Sequence, residues 1–405
     1  MGQSVICAAA SAPAGPIVSV PVSDACRDLL ELFAGVSDGR VGQGRDHPVA
    51  AVLALAAAAV VAGMKGYTAI TGWVADVPPA ILADLYLRSG AAPAPPPSKT
   101  TIWRVLTDAD TEAFDVAVGT WLMDLAGFTT AATAGEEDCS RALMQVRLDG
   151  KAIRGAKDAG GNQVRLLAAL VGPDAATSVV AAQTEVGVKT NEVPMAAVVL
   201  GQIDLGHKIV TADALHTVTA TANHIHDHGG EFVLPVKENR RALFDVLDAL
   251  PWDQVPIAHT ATDKGHGRIT TRTIQVLPAP EDLPFPHVSQ VFLIERHVTG
   301  LAGKPVSDVA ALGVASPEPG RADPAALSGY VREQWSIESL HWIRDTLYQE
   351  DKSQVRTRSG PRIMAGLRNL AIGALRMAGR TDVTEATRWA GRSMDRPFTI
   401  LGLTS

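Results

Sequence analysis

Between residues 145 and 237 the apolar residues change repeatedly from strand-like to helix-like spacing, and this order restricts the fold more than any other feature of the chain. Three strand patterns come first, in QVRLDGKAIRGA, VRLLAALVG and TSVVAAQTEV. Helix, strand, helix and strand follow, in NEVPMAAVVLGQI, KIVTADAL, TVTATANHIHDH and EFVLPVK. The order β-β-β-α-β-α-β predicts an α/β sheet that starts with antiparallel strands and continues with parallel ones.

This order is typical of the ribonuclease H-like fold, in which the first strand lies beside the fourth at the sheet centre. We therefore expect an α/β, ribonuclease H-like domain with a β-rich insertion, preceded by an all-α N-terminal domain. The polar segment TTAATAGEEDCS (129–140) marks the boundary between the two domains. The predicted parts are a disordered leader (1–22), a helical N-terminal domain (23–128), the first part of the core (141–250), the insertion (251–326), the second part of the core (327–380) and a basic tail (381–405).

The N-terminal helices are short and are separated by glycine turns. One of them begins after Ser98, a plausible N-cap residue, and carries Lys99 and Arg104. This pattern is compatible with a helix-turn-helix unit that reads DNA. It is equally compatible with a helical packing or dimerisation module, and both interpretations stay open.

Charge, cysteines and hydropathy limit the setting of the protein. The formal net charge is −7, which argues against a protein that coats nucleic acid, yet ten Lys/Arg face three Asp/Glu from Lys352 onward. Those basic residues predict either phosphate contacts or a solvated helical face. Three cysteines without metal-ligand spacing suit a reducing cytosol. The apolar run at 49–64 is too short to span a bilayer, so we expect a cytoplasmic protein with no membrane contact.

Three carboxylates fall at informative positions in this predicted fold. Asp149 lies in the first strand and Asp213 ends the fourth, where open α/β sheets place ligands. Glu338 lies on a helix after the insertion, which we expect to cross the sheet. Each acid also has a structural explanation, since Asp149 suits a hairpin turn, Asp213 a helix cap and Glu338 a solvated helix edge.

Glu338 also shares a helical face with Trp335 and Trp342, because the three residues are three and four positions apart. We expect the tryptophan face to be packed. A carboxylate between two large aromatic residues must reach solvent at the helix edge or be held for chemistry.

Converging carboxylates without His or Cys suit the hard ions Mg²⁺ or Mn²⁺ rather than zinc. Two such ions can activate a water molecule or a 3′-hydroxyl group and stabilise the leaving oxygen of a phosphodiester.

Longer stretches of the chain resemble bacterial insertion-sequence transposases of the DDE class, in the group that includes the H-repeat-associated proteins. The resemblance covers residues from about 28 to 403. It is carried by LDGKAIRGA, LLAALV, KTNEVP, KIVTADALHT, FVLPVKEN, GHGRITTR, the segment from Trp335 to Thr357 and PRIMAGLRNLAIGALR.

The resemblance implies a Mg²⁺- or Mn²⁺-dependent DNA transposase with two ions per active site. It assigns the catalytic, metal-binding triad to Asp149, Asp213 and Glu338. The implied partners are the double-stranded DNA of the element ends and target, and a second copy of the chain in a homodimer on DNA. When bound to DNA the protein would be associated with the nucleoid. We expect phosphate contacts from Lys151, Arg154, Lys237 and Arg268.

The chain departs from the family pattern near these motifs. Lys-Gly-Asn-Gln is usual where Lys237, Glu238, Asn239 and Arg240 stand here. Gly-His is usual at Glu333-Gln334, and Asn at Ser339. Two other functions remain open: a metal-dependent DNA nuclease that cuts without joining, and a transposase-derived DNA-binding regulator without chemistry.

Overall fold

A computed structural model describes residues 26–40, 42, 45–129, 142–157, 161–187, 192–265 and 267–404. The predicted leader (1–22) and nearly all of the predicted boundary segment lie outside these residues. The fold is mixed α/β, with an N-terminal helical region and a large sheet, as the sequence predicted.

The N-terminal region is built around one buried helix. Its six helices are α1 Leu29–Ala34, α2 Val49–Val61, α3 Tyr67–Ala75, α4 Pro79–Arg88, α5 Lys99–Asp108 and α6 Thr111–Leu125. Side chains of Asp28, Ser98 and Asp110 accept backbone N–H bonds at the starts of α1, α5 and α6, which stabilises these helix ends. In α2 every residue from Ala50 to Val61 is buried, because small alanines let neighbouring helices approach from all sides.

The central elements follow the predicted order. They are β1 Met144–Lys157, β2 Gln163–Val171, β3 Val179–Glu185, α7 Glu192–Leu200, β4 Lys208–Thr211, α8 Thr219–Asp227, β5 Glu231–Val236 and α9 Arg241–Asp248. β1 pairs with β2 antiparallel and with β4 parallel, and β4 pairs with β5 parallel. The first strand therefore lies beside the fourth.

The segment predicted as an insertion extends the same sheet. Its strands are β6 His259–Gly265, β7 Arg268–Pro278, β8 Gln290–Gly300 and β9 Pro305–Ala315. β9 pairs antiparallel with β5, so the described residues form one sheet in the order β3-β2-β1-β4-β5-β9-β8-β7-β6. The helix α10 (Pro324–Glu333) already begins before the predicted end of the insertion at residue 326. It packs on β7, β6 and β5.

The chain ends in helices rather than in a basic tail. They are α11 Ser336–Thr346, α12 Gly360–Met377, α13 Val383–Ala390 and α14 Asp395–Ile400, with a 3₁₀ turn at Glu350–Lys352 before α12. Phe398, Leu401 and Leu403 are buried, and α14 packs against α2. The prediction of a tail at 381–405 was wrong, because apolar residues between the arginines anchor this segment to the core.

Several arginines of the C-terminal basic excess are also buried. Arg362 donates to Asp115 of α6 at 2.6 Å, and Arg368 donates to Glu350 at 2.8 Å. Arg376 donates to the backbone oxygen of Ser178 at 3.1 Å. These guanidinium groups hold α12 in place and are not available to phosphates.

The helical region and the sheet share one hydrophobic core. α6 packs on β3 and α12, and α2 packs on α12. A Cβ atom added to Gly119 of α6 would lie 1.9 Å from the backbone oxygen of Ala181 on β3, so only glycine allows this approach. In the part of the chain that the structure describes, no helix is long and apolar enough to cross a membrane.

Candidate active site

Two aspartates lie just past the residues at which β1 and β4 pair in parallel. Arg147 of β1 is the register partner of Thr211 of β4. Asp149 and Asp213 each follow two residues later, at the same edge of the sheet. Asp213 is exposed, and its Oδ1 accepts the backbone N–H of Leu215 at 2.6 Å. It therefore stabilises the turn after β4. It does not cap α8, which begins after Val218 without a side-chain cap, so the helix-cap interpretation of Asp213 was wrong.

The third acid comes from α11, which begins directly over these strands. Nε2 of Gln334 donates to the backbone oxygen of Leu148 at 3.1 Å, and its Oε1 accepts from Thr211 at 2.5 Å. Nδ1 of His341, one turn after Glu338, lies 3.4 Å from Oδ2 of Asp149. These contacts place α11 against the middle of β1, with Glu338 in the first turn of the helix.

The tryptophan face of α11 is not packed, contrary to our expectation. Trp335 is 60% exposed and Trp342 is 65% exposed. The sequence shows a second stripe on this helix, which contains Ile337, Leu340 and Arg344, and in the structure these three side chains are almost fully covered. Glu338 is therefore an exposed carboxylate between two exposed indole rings.

The electrostatics of Asp149 show that the acids influence one another. The pKa of Asp149 is raised to about 7, chiefly by burial and also by the carboxylates of Glu338, Asp213 and Glu192, while the backbone N–H of Gly150 lowers it. Partial burial also raises the pKa of Glu338. The neighbouring His341 is no cation, because burial, Arg344 and Lys151 lower its pKa to about 3. Asp149 thus faces like charges and a neutral imidazole.

Glu192 is a fourth acid that our sequence reasoning did not select. It begins α7, and burial together with the charge of Asp213 raises its pKa. Its carboxylate fills the space beside Gly150, where an added Cβ atom would lie 2.5 Å from it. The signal was present in KTNEVP, one of the stretches that carried the family resemblance. His341 also went unselected, although it lies three residues after Glu338.

The predicted phosphate contacts do not form one surface. Lys151 is largely covered, with Nζ 2.6 Å from Oδ2 of Asp345. Arg154 is exposed and lies 3.4 Å from Asp351, and Lys237 is exposed after β5. Arg268 is exposed at the start of β7, five strand positions from β1, or about 24 Å across the sheet at about 4.8 Å per strand.

Some of the departures from the family pattern have structural roles here. Gln334 joins β1, β4 and α11, as described above. Arg147 is buried, and its Nε donates to the backbone oxygen of Glu333 at 2.9 Å. Arg240 and its neighbour Asn239 donate to the backbone oxygens of Leu215 and Ala214, which flank the turn after Asp213. Glu238 and Ser339 are exposed.

Asp149, Asp213, Glu338 and Glu192 offer a donor set made only of carboxylate oxygens. As the side chains stand, no group of three acids, histidines or cysteines among the described residues is arranged to hold a metal ion. The donor set nevertheless fits a hard divalent cation, because Asp149 is partly buried among like charges that such a cation would neutralise.

Comparisons with known proteins identify the class. The family described as "Transposase DDE domain" matches residues 144–373, and the family described as "DDE_Tnp_1-associated" matches residues 30–122. The chain therefore belongs to the DDE transposase family.

Two of the relatives within this family are themselves named as transposases. The chain is 24% identical over 369 residues to the proposed transposase YncI of Escherichia coli O157:H7. The aligned residues cover 86% of this chain and 87% of YncI. It is 23% identical over 371 residues to YhhI of E. coli K12, a proposed H repeat-associated transposase, covering 86% of this chain and 90% of YhhI.

Two further matches say less about function. An uncharacterized protein from the dhlA 3′ region of Xanthobacter autotrophicus is 30% identical over 245 residues, covering 57% of this chain and 73% of that protein. Among solved structures, a piggyBac transposase synaptic complex with hairpin DNA has a TM-score of 0.42 at 9% identity, covering 92% of this chain and 76% of that chain.

Proposed function

We propose that this protein is a DNA transposase that cuts at the terminal inverted repeats of an insertion sequence and joins the freed 3′ ends to target DNA. The observation that supports this most is the placement of Asp149 and Asp213 just past the parallel pairing of β1 with β4, with α11 and Glu338 laid over them. The sheet order β3-β2-β1-β4-β5 supports a ribonuclease H-like catalytic domain. Membership of the transposase family supports the reaction class.

Asp149, Asp213 and Glu338 would hold Mg²⁺ or Mn²⁺, two ions per site, and Glu192 is a further oxygen donor beside them. These residues would thereby supply, through the bound ions, activation of the attacking water or 3′-hydroxyl oxygen and stabilisation of the leaving oxygen. Asp149 lies on β1 beside β4 and 3.4 Å from His341 of α11, so it would be the acid best placed to contribute to both ions. Exposed Trp335 and Trp342 beside Glu338 are surfaces on which nucleobases can stack, which supports DNA as the partner.

The remaining parts of the proposal concern assembly. Both ends of an element have to be held together, so we propose a homodimer on double-stranded DNA. The protein would act in the cytoplasm, at the nucleoid when bound to DNA. We propose Arg154, Lys237 and Arg268 as phosphate contacts because their side chains are exposed.

Replacement of the exposed carboxylate tests the proposal. Glu338→Gln removes one negative charge without changing the buried stripe of α11, so folding should be unaffected. Cleavage and joining of element-end DNA in Mg²⁺ or Mn²⁺ should fall by several orders of magnitude, as in Asp149→Asn and Asp213→Asn, and the losses should not add. Binding to the ends, measured by fluorescence anisotropy in Ca²⁺, should stay at the wild-type level.

Glu112→Gln is the matched control, because Glu112 is an exposed glutamate in the first turn of α6. It should cut like the wild type. Full cleavage by Glu338→Gln, or by the wild type in EDTA, would contradict the proposal. Cutting without joining would assign a nuclease, and binding without cutting in Mn²⁺ a regulator.

A further inference from the structure

Contacts between β1 and α11 extend beyond the acids themselves. Asp149 and Lys151 are two residues apart, so they lie on one face of β1. His341 and Asp345 are four residues apart and share one side of α11. His341 lies 3.4 Å from Asp149, and Nζ of Lys151 lies 2.6 Å from Oδ2 of Asp345. The spacings match, because two strand residues span about 6.8 Å and four helix residues about 6 Å.

The ammonium group of Lys151 is held between two carboxylates of the α11 segment. Its side chain is 9% exposed, and Nζ also lies 3.8 Å from Oδ1 of Asp351, which follows α11. Asp351 in turn accepts the backbone N–H of Arg154 at 3.2 Å. Lys151 would have to leave both acids before it could contact a phosphate.

The segment after α11 continues along the same strand. A Cβ atom added to Gly155 would lie 2.4 Å from the backbone oxygen of Ser353, so the two backbones are in direct contact. Nε of Arg356 donates to the backbone oxygen of Gly155 at 3.0 Å. The Lys151–Asp345 contact is therefore one of a series that runs along β1, and it is the one nearest to Asp149 after His341.

We propose that the Lys151–Asp345 ion pair is a positioning contact that fixes α11 along β1 and so sets where the Glu338 carboxylate stands relative to Asp149. This inference rests on the proposed function, which gives Glu338 its role in metal binding. Glu338 lies seven residues before Asp345 on the same helix. A displacement of α11 along the strand therefore moves Glu338 by the same distance.

Metal binding in the full chain gives a readout that does not depend on activity. Asp345→Asn and Lys151→Met should each weaken Mn²⁺ binding, measured with the metal alone by titration calorimetry, by about 10- to 100-fold, the usual effect of removing a group that orients metal ligands. The double variant should lose no more than either single variant. Cleavage at saturating DNA should fall in parallel, while Lys151→Arg should bind Mn²⁺ like the wild type.

A double-mutant cycle tests whether Asp345 acts through Glu338. In a Glu338→Gln background, Asp345→Asn should cause no further loss of Mn²⁺ affinity. Glu385→Gln is the control, because it breaks a 3.2 Å pair with partly covered Arg380 away from the site. It should change neither Mn²⁺ affinity nor cleavage. Equal losses from Asp345→Asn with and without Glu338 would overturn the inference.

The alternative role of Lys151 predicts a different pattern. If Lys151 contacts a phosphate, Lys151→Met should leave Mn²⁺ affinity unchanged, weaken DNA binding and reduce the salt slope by about one, which would overturn the inference. The reversed pair Lys151→Glu with Asp345→Lys should recover Mn²⁺ affinity relative to either reversed single variant, and melting temperatures show that each variant folds.

The two proposals fail in different ways. A wild type that neither binds Mn²⁺ nor cuts would defeat the proposed function. A wild type that does both, with Asp345→Asn equal to it, would defeat this inference alone.

Discussion

Asp149 holds its proton more tightly than an exposed aspartate, because it is partly buried and faces other carboxylates. Its pKa is about 7 in the folded protein, against about 3.9 for an unfolded chain. Between about pH 3.9 and about pH 7, the folded state therefore binds this proton more tightly than the unfolded state does. The corresponding stability is fully present below about pH 4 and is lost as the pH rises through about 7.

We expect Asp149→Asn to stabilise the metal-free protein at pH 8 and to have little effect at pH 4. The gain at pH 8 should be on the order of a few kcal/mol, since each unit of pKa shift corresponds to about 1.4 kcal/mol. Urea unfolding in EDTA at the two pH values measures it. Asp245→Asn, which breaks an exposed pair with Arg241, should show no such pH dependence. A gain that is equal at both pH values would contradict the assigned pKa.

Single residues of the site were predictable to different degrees. Asp149 and Asp213 stood out because strand order fixes which strand ends meet. Glu192 did not, since the sequence does not show which turn of α7 faces the sheet. Its position beside Gly150 depends on packing between two elements that are far apart in sequence.

At the scale of elements, α11 shows why the spacing of apolar residues alone predicted the wrong face of the helix to be buried. Two stripes were visible, and the one with two tryptophans was expected to be packed. The structure buries the other stripe, although it contains Arg344. Arg344 is tolerated because Glu350 accepts from it at 2.9 and 3.0 Å and also from Arg368. Those partners come from outside the helix, so the helix sequence could not reveal them.

The C-terminal helices give a prediction about the stability of the folded chain. Deleting residues after Ala378 removes buried Val383, Phe398, Leu401 and Leu403, each contributing about 1.5–3 kcal/mol. The sum is comparable to the whole stability of a domain, so the truncated chain should lose its cooperative unfolding transition, measured by circular dichroism.

The exposed arginines of the same helices are tested by substitution instead. Arg388→Ala with Arg392→Ala should leave the melting temperature unchanged, since both side chains are exposed. If they contact phosphates, the slope of log affinity against log salt should fall by about two. An unchanged slope would assign them to a solvated face, and a truncated chain that still unfolds cooperatively would show that α13 and α14 are dispensable.

At the scale of the whole molecule, the sequence predicted the order of elements and the mixed α/β class but not how the helical region joins the sheet. The division at 129–140 suggested an independent N-terminal domain. In the structure, α2 and α6 bury their side chains against α12 and β3, and Asp115 of α6 accepts from Gln183 and Arg362 at 2.6 Å. Buried polar contacts between distant segments leave no periodic signal in the sequence.

We therefore expect residues 26–129 expressed alone not to form a stable domain. Without α12 and β3, the apolar surfaces of α2 and α6 and the carboxylate of Asp115 would be left without their partners. Circular dichroism should show reduced helicity and a non-cooperative melt, and a hydrophobic dye should bind.

Adding the complementary fragment, residues 142–404, should restore a cooperative transition, because the two fragments together contain the shared core.

Asp115→Ala in the full chain should lower the free energy of unfolding by about 3–5 kcal/mol, as expected when one partner of a buried ion pair is removed. Glu112→Ala, on the exposed side of α6, should change it by less than about 0.5 kcal/mol. If the fragment 26–129 melts cooperatively by itself, the helical region is an independent domain, and DNA-end recognition can be assayed on it directly. If it does not, Lys99→Ala and Arg104→Ala have to be assayed in the full chain.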